Sequence, residues 1–227
     1  GAVIGEVPLS SVATSRAATA AAAAAYPAWS ATPLPKRMDY IFSMQQAMKD
    51  NLEMLAESIA IDQAKHIAEA RGEVGRVIEI VQMACTIPAL IQGDTVQGIA
   101  NNINGRLIKA PLGVFCGVAP FNFPDGVVNI VHGDRNAVEA WYDDENVAGV
   151  CLVGSTATAK AIAEGCGRNG KKTMLLGGAK NFLVAMEDAP MDLMIENILM
   201  SGYGSAGQRC LAVSNIGACS IFAALSG

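Results

Sequence analysis

Three short runs hold residue types that could do chemistry. Ala119-Pro120-Phe121-Asn122-Phe123-Pro124 follows one apolar stretch, Val153-Gly154-Ser155-Thr156 follows another, and Gly204-Ser205-Ala206-Gly207-Gln208-Arg209-Cys210 is a glycine-rich loop ending in a cysteine. A thiolate is a strong nucleophile, and the backbone N–H groups of such a loop, with a neighbouring arginine, favour the anion. An asparagine side chain can donate to an oxyanion. A Ser-Thr pair opening a helix supplies donors and a favourable dipole for a phosphate. Taken singly, each run has a plainer reading: a small buried hydrophobe, a turn former and a helix N-cap.

Other motifs lose their force in context. Gly202-Tyr203-Gly204-Ser205-Ala206-Gly207 spells G-x-G-x-x-G, but it follows the helix-like run Met191–Met200 and leads toward a strand, the reverse of a dinucleotide fingerprint. Gly165–Lys172 nearly spells a phosphate loop, yet Lys172 stands where a magnesium-binding hydroxyl belongs, so an exposed turn is expected. His66 and His132 are isolated and lack metal-ligand spacing, which points to solvated or hydrogen-bonded surface roles and to no metal site. The six cysteines contain no C-x-x-C pair, which disfavours a zinc knuckle or a dithiol redox centre and leaves room for a single reactive cysteine.

Composition bounds the setting. The chain has 227 residues, 52% hydrophobic and 16% charged, with a net charge of −5 and a mean hydropathy of +0.32. That excludes disorder and suits one large domain or two small ones. Sixteen Lys+Arg against 21 Asp+Glu, with no basic cluster, predicts no nucleic-acid partner. The longest apolar tracts, Ala20–Trp29 and Ala110–Phe121, are too short for a bilayer span, and the start shows no secretory signal. A reducing compartment is therefore expected. A start at Gly1 and a stop just after the apolar stretch Ile221–Leu225 lead to the expectation of a chain cut at both ends.

The elements that must position these residues follow from periodicity. Helices are expected over an alanine-rich stretch from about Ser10 to Ala25, over Pro35–Met48, and from Asp50, where Asp50 and Glu53 have capping-box spacing and Leu52, Leu55 and Ile59 share a face. A second stripe, Val74, Val77, Ile78, Val81 and Cys85, follows Gly72, so two helices are expected to meet near Arg71-Gly72. From Pro111 onward strands are expected at Val114–Val118, Val127–Val131, Val147–Val153, Met174–Leu176 and Leu183–Met186, separated by helical stretches. The fold class is α/β, with a parallel sheet expected to be covered on both faces. One join breaks the rule: Phe123-Pro124-Asp125-Gly126-Val127 links two expected strands without the crossover that parallel neighbours need, so either a hairpin or a missing segment explains it, and the missing segment is favoured.

Together, in this order, the three runs resemble the aldehyde dehydrogenase superfamily. Ala24–Arg37, Asp62-Gln63-Ala64-Lys65 and Gly72-Glu73-Val74 are similar to its opening helices. Leu176-Gly177-Gly178-Ala179-Lys180-Asn181 and Gly207-Gln208-Arg209-Cys210 narrow the likeness to the coenzyme A-acylating methylmalonate-semialdehyde dehydrogenase branch. The resemblance implies a Rossmann-type NAD-binding domain over residues 1–180, with an apparent gap at 124/125, and the beginning of an α/β catalytic domain over 181–227. It implies Cys210 as the nucleophile, Asn122 as an oxyanion donor, and NAD held by Ala119, Phe121, Ser155 and Gly177. Arg76 and Arg209 would take the substrate carboxylate, as planar guanidinium forks suit it. Hydrolytic relatives place a glutamate base just before Leu-Gly-Gly; here that position is Leu175, which favours coenzyme A over water as acyl acceptor. The implied reaction oxidises methylmalonate or malonate semialdehyde, loses carbon dioxide and releases propionyl- or acetyl-coenzyme A, as in valine or inositol breakdown. The implied assembly is a homo-oligomer, a tetramer, in the cytoplasm or the mitochondrial matrix.

The sequence departs from the family at the same join. The family inserts a helix and a strand ending in a Lys-Pro-Ser-Glu-like cofactor motif there, whereas Pro124 is followed directly by Asp125. The missing crossover and the missing segment are one anomaly. The alternative is an internally deleted, inactive remnant that acts at most by binding a partner chain.

Overall fold

A computed structural model describes residues 3–119, 130–186 and 188–218. The expected strand at Val127–Val131 and the Pro124–Asp125 join fall largely or wholly outside the described residues. The chain divides into two compact units, residues 1–55 with 74–177 and residues 56–73 with 178–227. Among the described residues, no helix is long and apolar enough to cross a membrane.

The helices open as α1 (Val12–Ala31), α2 (Leu34–Asp50), α3 (Leu52–Gln63), α4 (Ile67–Ala84) and the short α5 (Ile87–Leu90). Ser11 caps α1 by accepting from the Thr14 N–H at 3.2 Å. Asp50 does not open a helix as its spacing suggested. It is the last residue of α2 and accepts from Gln46, while the Asn51 carbonyl takes the Leu55 N–H that starts α3. The junction expected at Arg71-Gly72 lies instead at Ala64–His66. Ala64 sits at φ 50°, and the Lys65 N–H reaches back to the Ala60 carbonyl, a left-handed stop that ends α3. The His66 imidazole then caps α4 by accepting from the Ala68 N–H, and Gly72 is carried inside a continuous helix. A glycine costs a helix only about 1 kcal/mol, too little to break one whose buried stripe includes Val74, Ile78 and Val81.

In the first unit, β1 (Thr95–Ala100) and β2 (Ile103–Arg106) form an antiparallel hairpin that the apolar-run reading missed, with Asn102 turning at φ 62°. Then come β3 (Val114–Val118), α6 (Arg135–Glu139), β4 (Val147–Val153), α7 (Thr156–Arg168) and β5 (Lys172–Leu176). The strands β3, β4 and β5 pair in that order, all parallel, with α7 as the crossover between the last two. Val150 and Leu152 pack on Ile162 and Cys166 of α7, with Cys116, Val118 and Leu175 flanking them.

Only one face is covered among the described residues. On the other, Phe115 is 47% exposed, Met174 62% and Leu176 56%, which corrects the expectation of a sheet covered on both sides. The reason is layer count: β4–α7–β5 crosses over one face, and a single crossover helix covers that face alone.

A buried carboxylate ties α1 to this sheet. Thr19 donates to Asp144 at 2.5 Å, and the backbone and side-chain N–H groups of Asn146 donate to its other oxygen at 3.0 and 2.9 Å. Lys171 Nζ donates to the Asp144 and Val147 carbonyls at 2.5 and 2.8 Å, and Ser15 donates to the Ala137 carbonyl at 2.8 Å. Burial pushes the Asp144 pKa up, but the hydrogen bonds from Thr19 and Asn146, with Arg16 nearby, outweigh it and leave the carboxyl below its usual value.

The second unit holds β6 (Asn181–Ala185), α8 (Met191–Tyr203), a 3-10 turn at Gly204–Gly207, and β7 (Val213–Ala218) parallel to β6. It also contains an ion pair between Lys65, almost wholly buried, and Glu73.

Because the folded pKa of Asp144 is depressed, its contribution to stability is fully present above about pH 3.9, the unfolded value, and drains as pH falls through the folded one. Asp144→Asn is expected to cost about 1–3 kcal/mol at pH 7 and to flatten the acid limb, read by urea melts between pH 2 and 7. An unchanged acid limb would show that the carboxylate is not the stabilising form.

Candidate active site

Three of the sequence-predicted residues meet at the carboxyl ends of the parallel strands in the first unit. Ala119 directly follows β3, Ser155 stands between β4 and α7, and Gly177 directly follows β5. Ser155 caps α7, its hydroxyl oxygen accepting from the Thr158 N–H at 3.2 Å, and the Gly154 N–H bonds the Leu176 carbonyl at 3.0 Å. A Cβ on Gly177 would lie 3.0 Å from Thr156 Oγ1 and 3.3 Å from its Cα, so glycine lets the chain leaving β5 pass close to the helix start. Ala119 also lines a cavity of about 340 Å³ with Val118, His132, Gly133 and Trp141. Phe121 and Asn122 lie outside the described residues.

Leu175 sits in the core beneath α7, half-buried and with no group able to move a proton. Arg76 is exposed on α4 and paired with Glu79 at 3.1 Å, a solvated helix pair. The two discarded motifs sit as expected: Gly202–Gly207 spans the end of α8 and the 3-10 turn, and Gly165–Lys172 runs from the last turn of α7 into β5.

In the second unit, Cys210 lies exposed in a turn closed by the Ala212 N–H bonding the Arg209 carbonyl at 3.0 Å. Two residues that the sequence reading left without a role shape this loop. Asn181 Nδ2 donates to the Cys210 carbonyl at 2.8 Å and to the Ala212 carbonyl at 2.9 Å. Glu69 stands 4.0 Å from Arg209 Nη2, which also donates to the Met200 carbonyl near the end of α8. These groups crowd Gly204, where a Cβ would fall 1.9 Å from Arg209 Nη2 and 2.7 Å from Glu69 Oε1. In the sequence, Asn181 is marked only as the last residue of the Leu176–Asn181 motif, and no motif marks Glu69.

The thiols are not equivalent. Burial, then the Asp144 charge, pushes Cys116 up to about 12, and burial raises Cys166. Among the described cysteines, Cys210 is the exposed one.

Comparison with known proteins decides the family. The model described as "Aldehyde dehydrogenase family" matches residues 1–125 and 123–218. The chain belongs to the aldehyde dehydrogenase family. The two matched stretches of this aldehyde dehydrogenase meet at the Pro124–Asp125 join. A malonate-semialdehyde dehydrogenase of Geobacillus kaustophilus is 32% identical over 259 aligned residues, covering 95% of this chain and 53% of that protein. That alignment is longer than the whole 227-residue chain, so the relative carries residues without a counterpart here. The acylating, mitochondrial methylmalonate-semialdehyde/malonate-semialdehyde dehydrogenase of Rattus norvegicus is also 32% identical, covering 93% of this chain and 48% of its own. A Sinorhizobium meliloti protein described as a methylmalonate-semialdehyde dehydrogenase, solved in complex with NAD, superposes with a TM-score of 0.88 at 29% identity. It covers 97% of this chain and 54% of its own. The chain spans about half the length of the relatives it matches.

The difference among thiols is directly measurable. Brief iodoacetamide treatment of the native chain at pH 8, resolved by peptide mass spectrometry, is expected to label Cys210 and spare Cys116 and Cys166. Comparable labelling of Cys116 would contradict its burial.

Proposed function

We propose that this aldehyde dehydrogenase performs NAD-dependent, coenzyme A-acylating oxidation of a carboxylated semialdehyde, methylmalonate or malonate semialdehyde, through Cys210. The observation that carries the reading is the exposed thiol of Cys210 in a turn held by side-chain hydrogen bonds, in a chain of this family.

The residues at the strand ends fit a dinucleotide. The start of a 13-residue helix, a serine cap and a glycine permitting close approach stand at the carboxyl ends of parallel strands, where donors and the helix dipole suit a pyrophosphate. Ala119, Ser155 and Gly177, with Phe121, would hold NAD, which when bound accepts hydride.

Cys210 attacks the aldehyde carbon as a thiolate, forming a carbon–sulfur bond and an oxyanion. Asn122 donates its side-chain N–H to that oxyanion alongside the Cys210 backbone N–H. Loss of hydride leaves a thioester on Cys210. The carboxylate of the acyl group leaves as carbon dioxide, the enolate left behind takes a proton from water, and the resulting acyl group passes to the coenzyme A thiolate, with Cys210 leaving as thiolate. Leu175 supplies no base for water, and a thiol ionises far more readily than water, so coenzyme A can do without one. Arg209 offers its guanidinium group to the substrate carboxylate, with Arg76, paired with Glu79 on α4, as the second candidate.

The exposed apolar sheet face of Phe115, Met174 and Leu176 favours a second reading, in which these 227 residues are inactive alone and act by binding a partner chain. The turnover assay separates the two. NADH formation from malonate semialdehyde with both NAD and coenzyme A is expected from the wild-type chain and absent in Cys210→Ala. It should slow strongly when coenzyme A is omitted. Retained turnover in Cys210→Ala would sink the mechanism, an unchanged rate without coenzyme A would make water the acceptor, and an inactive wild type would favour the second reading. Arg209→Ala should raise KM for the semialdehyde about tenfold or more, as expected for a lost charge-assisted pair, with a smaller effect on kcat. An unchanged KM would remove Arg209 from carboxylate recognition.

A further inference from the structure

We propose that Asn181 is the positioning residue of the nucleophile loop, a carboxamide clamp that fixes the peptide of Cys210. The inference rests on the reading of Cys210 as nucleophile and adds the device that aims it.

Asn181 is the first residue of β6, paired in register with Val213, the first residue of β7. The turn Arg209–Ala212 leads directly into β7, and Cys210 occupies its second position. The Asn181 amide nitrogen reaches two carbonyls of this turn, at Cys210 and Ala212, both at ordinary hydrogen-bond length. Both partners are acceptors, so only the NH2 side of the carboxamide can face them, and its two hydrogens match the two carbonyls.

The ends of the turn are held, by Arg209 on the Met200 carbonyl and by buried Ala212, but its middle is not packed. Leu211, between the two clamped carbonyls, is 79% exposed, and Cys210 is exposed as well. Packing therefore does not fix Cys210 itself, and a freely moving thiol would seldom stand in line with a bound carbonyl. Tying the carbonyls on either side of Leu211 to a residue anchored in the parallel ladder sets the orientation of the Cys210 peptide relative to β6. The side chain in effect extends the β6–β7 ladder into the loop. Asn181 need not touch substrate or cofactor; it acts through Cys210.

Donors, rather than shape, carry the role. Asn181→Asp has the same outline but presents carboxylate oxygens to two carbonyl oxygens. Asn181→His places one ring N–H near the amide position and keeps a single donor. Asn181→Ala removes both.

The test uses the full chain and these three variants, with amide hydrogen exchange of the peptide spanning 209–213 and steady-state kinetics for the semialdehyde. Expected is a faster exchange of that peptide in Asn181→Ala, by about tenfold, with α7 and β4 unchanged. A fall in kcat of about 10- to 100-fold, the scale of a misplaced reacting group, should come with little change in KM. Asn181→Asp should be at least as impaired, and Asn181→His should recover part of both signals. Unchanged exchange and kcat in Asn181→Ala, or an Asn181→Asp chain equal to wild type, would overturn the proposal. Faster exchange with no turnover in any chain, wild type included, would sustain the clamp and overturn the reaction assigned to Cys210.

Discussion

Parallel strand pairing is the constraint on which this molecule depends. A parallel neighbour cannot be reached by a tight turn, so each new strand requires a crossover that returns the chain to the same end of the sheet. In both units this sends consecutive strand ends, and the loops after them, to one side: β4–α7–β5 in the first and β6–α8–β7 in the second. Ser155 and Gly177 stand together for that reason, although 22 positions apart in the chain, and because parallel strands also begin on one side, Asn181 at the start of β6 reaches Cys210 before β7 across 29.

Polar groups fasten the layers that apolar packing alone would leave free to slide. Asp144 collects Thr19 from α1 and Asn146 from its own loop, while its carbonyl receives Lys171 from the approach to β5. A buried carboxylate is costly unless its oxygens are met by donors, and here each oxygen has at least one. Asn181 uses the same principle at smaller scale. Its donors satisfy carbonyls that follow a 3-10 turn and directly precede a strand.

The open sheet face is the counterpart of this economy. Phe115, Met174 and Leu176 lie on the side opposite α7, and one crossover helix can cover only one face. At the Pro124–Asp125 join the sequence passes between two apolar runs without enough residues for a helix. The family model matches in two stretches, residues 1–125 and 123–218, that meet at the same join.

Much was legible in the sequence alone. The strands Val114–Val118 and Val147–Val153 have the bounds that their apolar runs predict, because a strand buried under a helix must be apolar along its length. The family followed from three motifs in order, and the two misleading glycine motifs could be dismissed because their neighbours were helical on the wrong side. What the sequence misplaced was decided by local backbone geometry. The break at Ala64 depends on an alanine adopting a left-handed conformation that composition disfavours, and Asp50 went to the helix before it because Asn51 took the cap. The hairpin at Thr95–Arg106 went unread because exposed strands carry no apolar run. Residue types and order thus determined the α/β class, the family and the candidate nucleophile. Only the tertiary structure decided that Asn181 grips the Cys210 turn, that Leu175 belongs to the core and that Phe115, Met174 and Leu176 stay exposed among the described residues, because each depends on contacts between residues far apart in the chain.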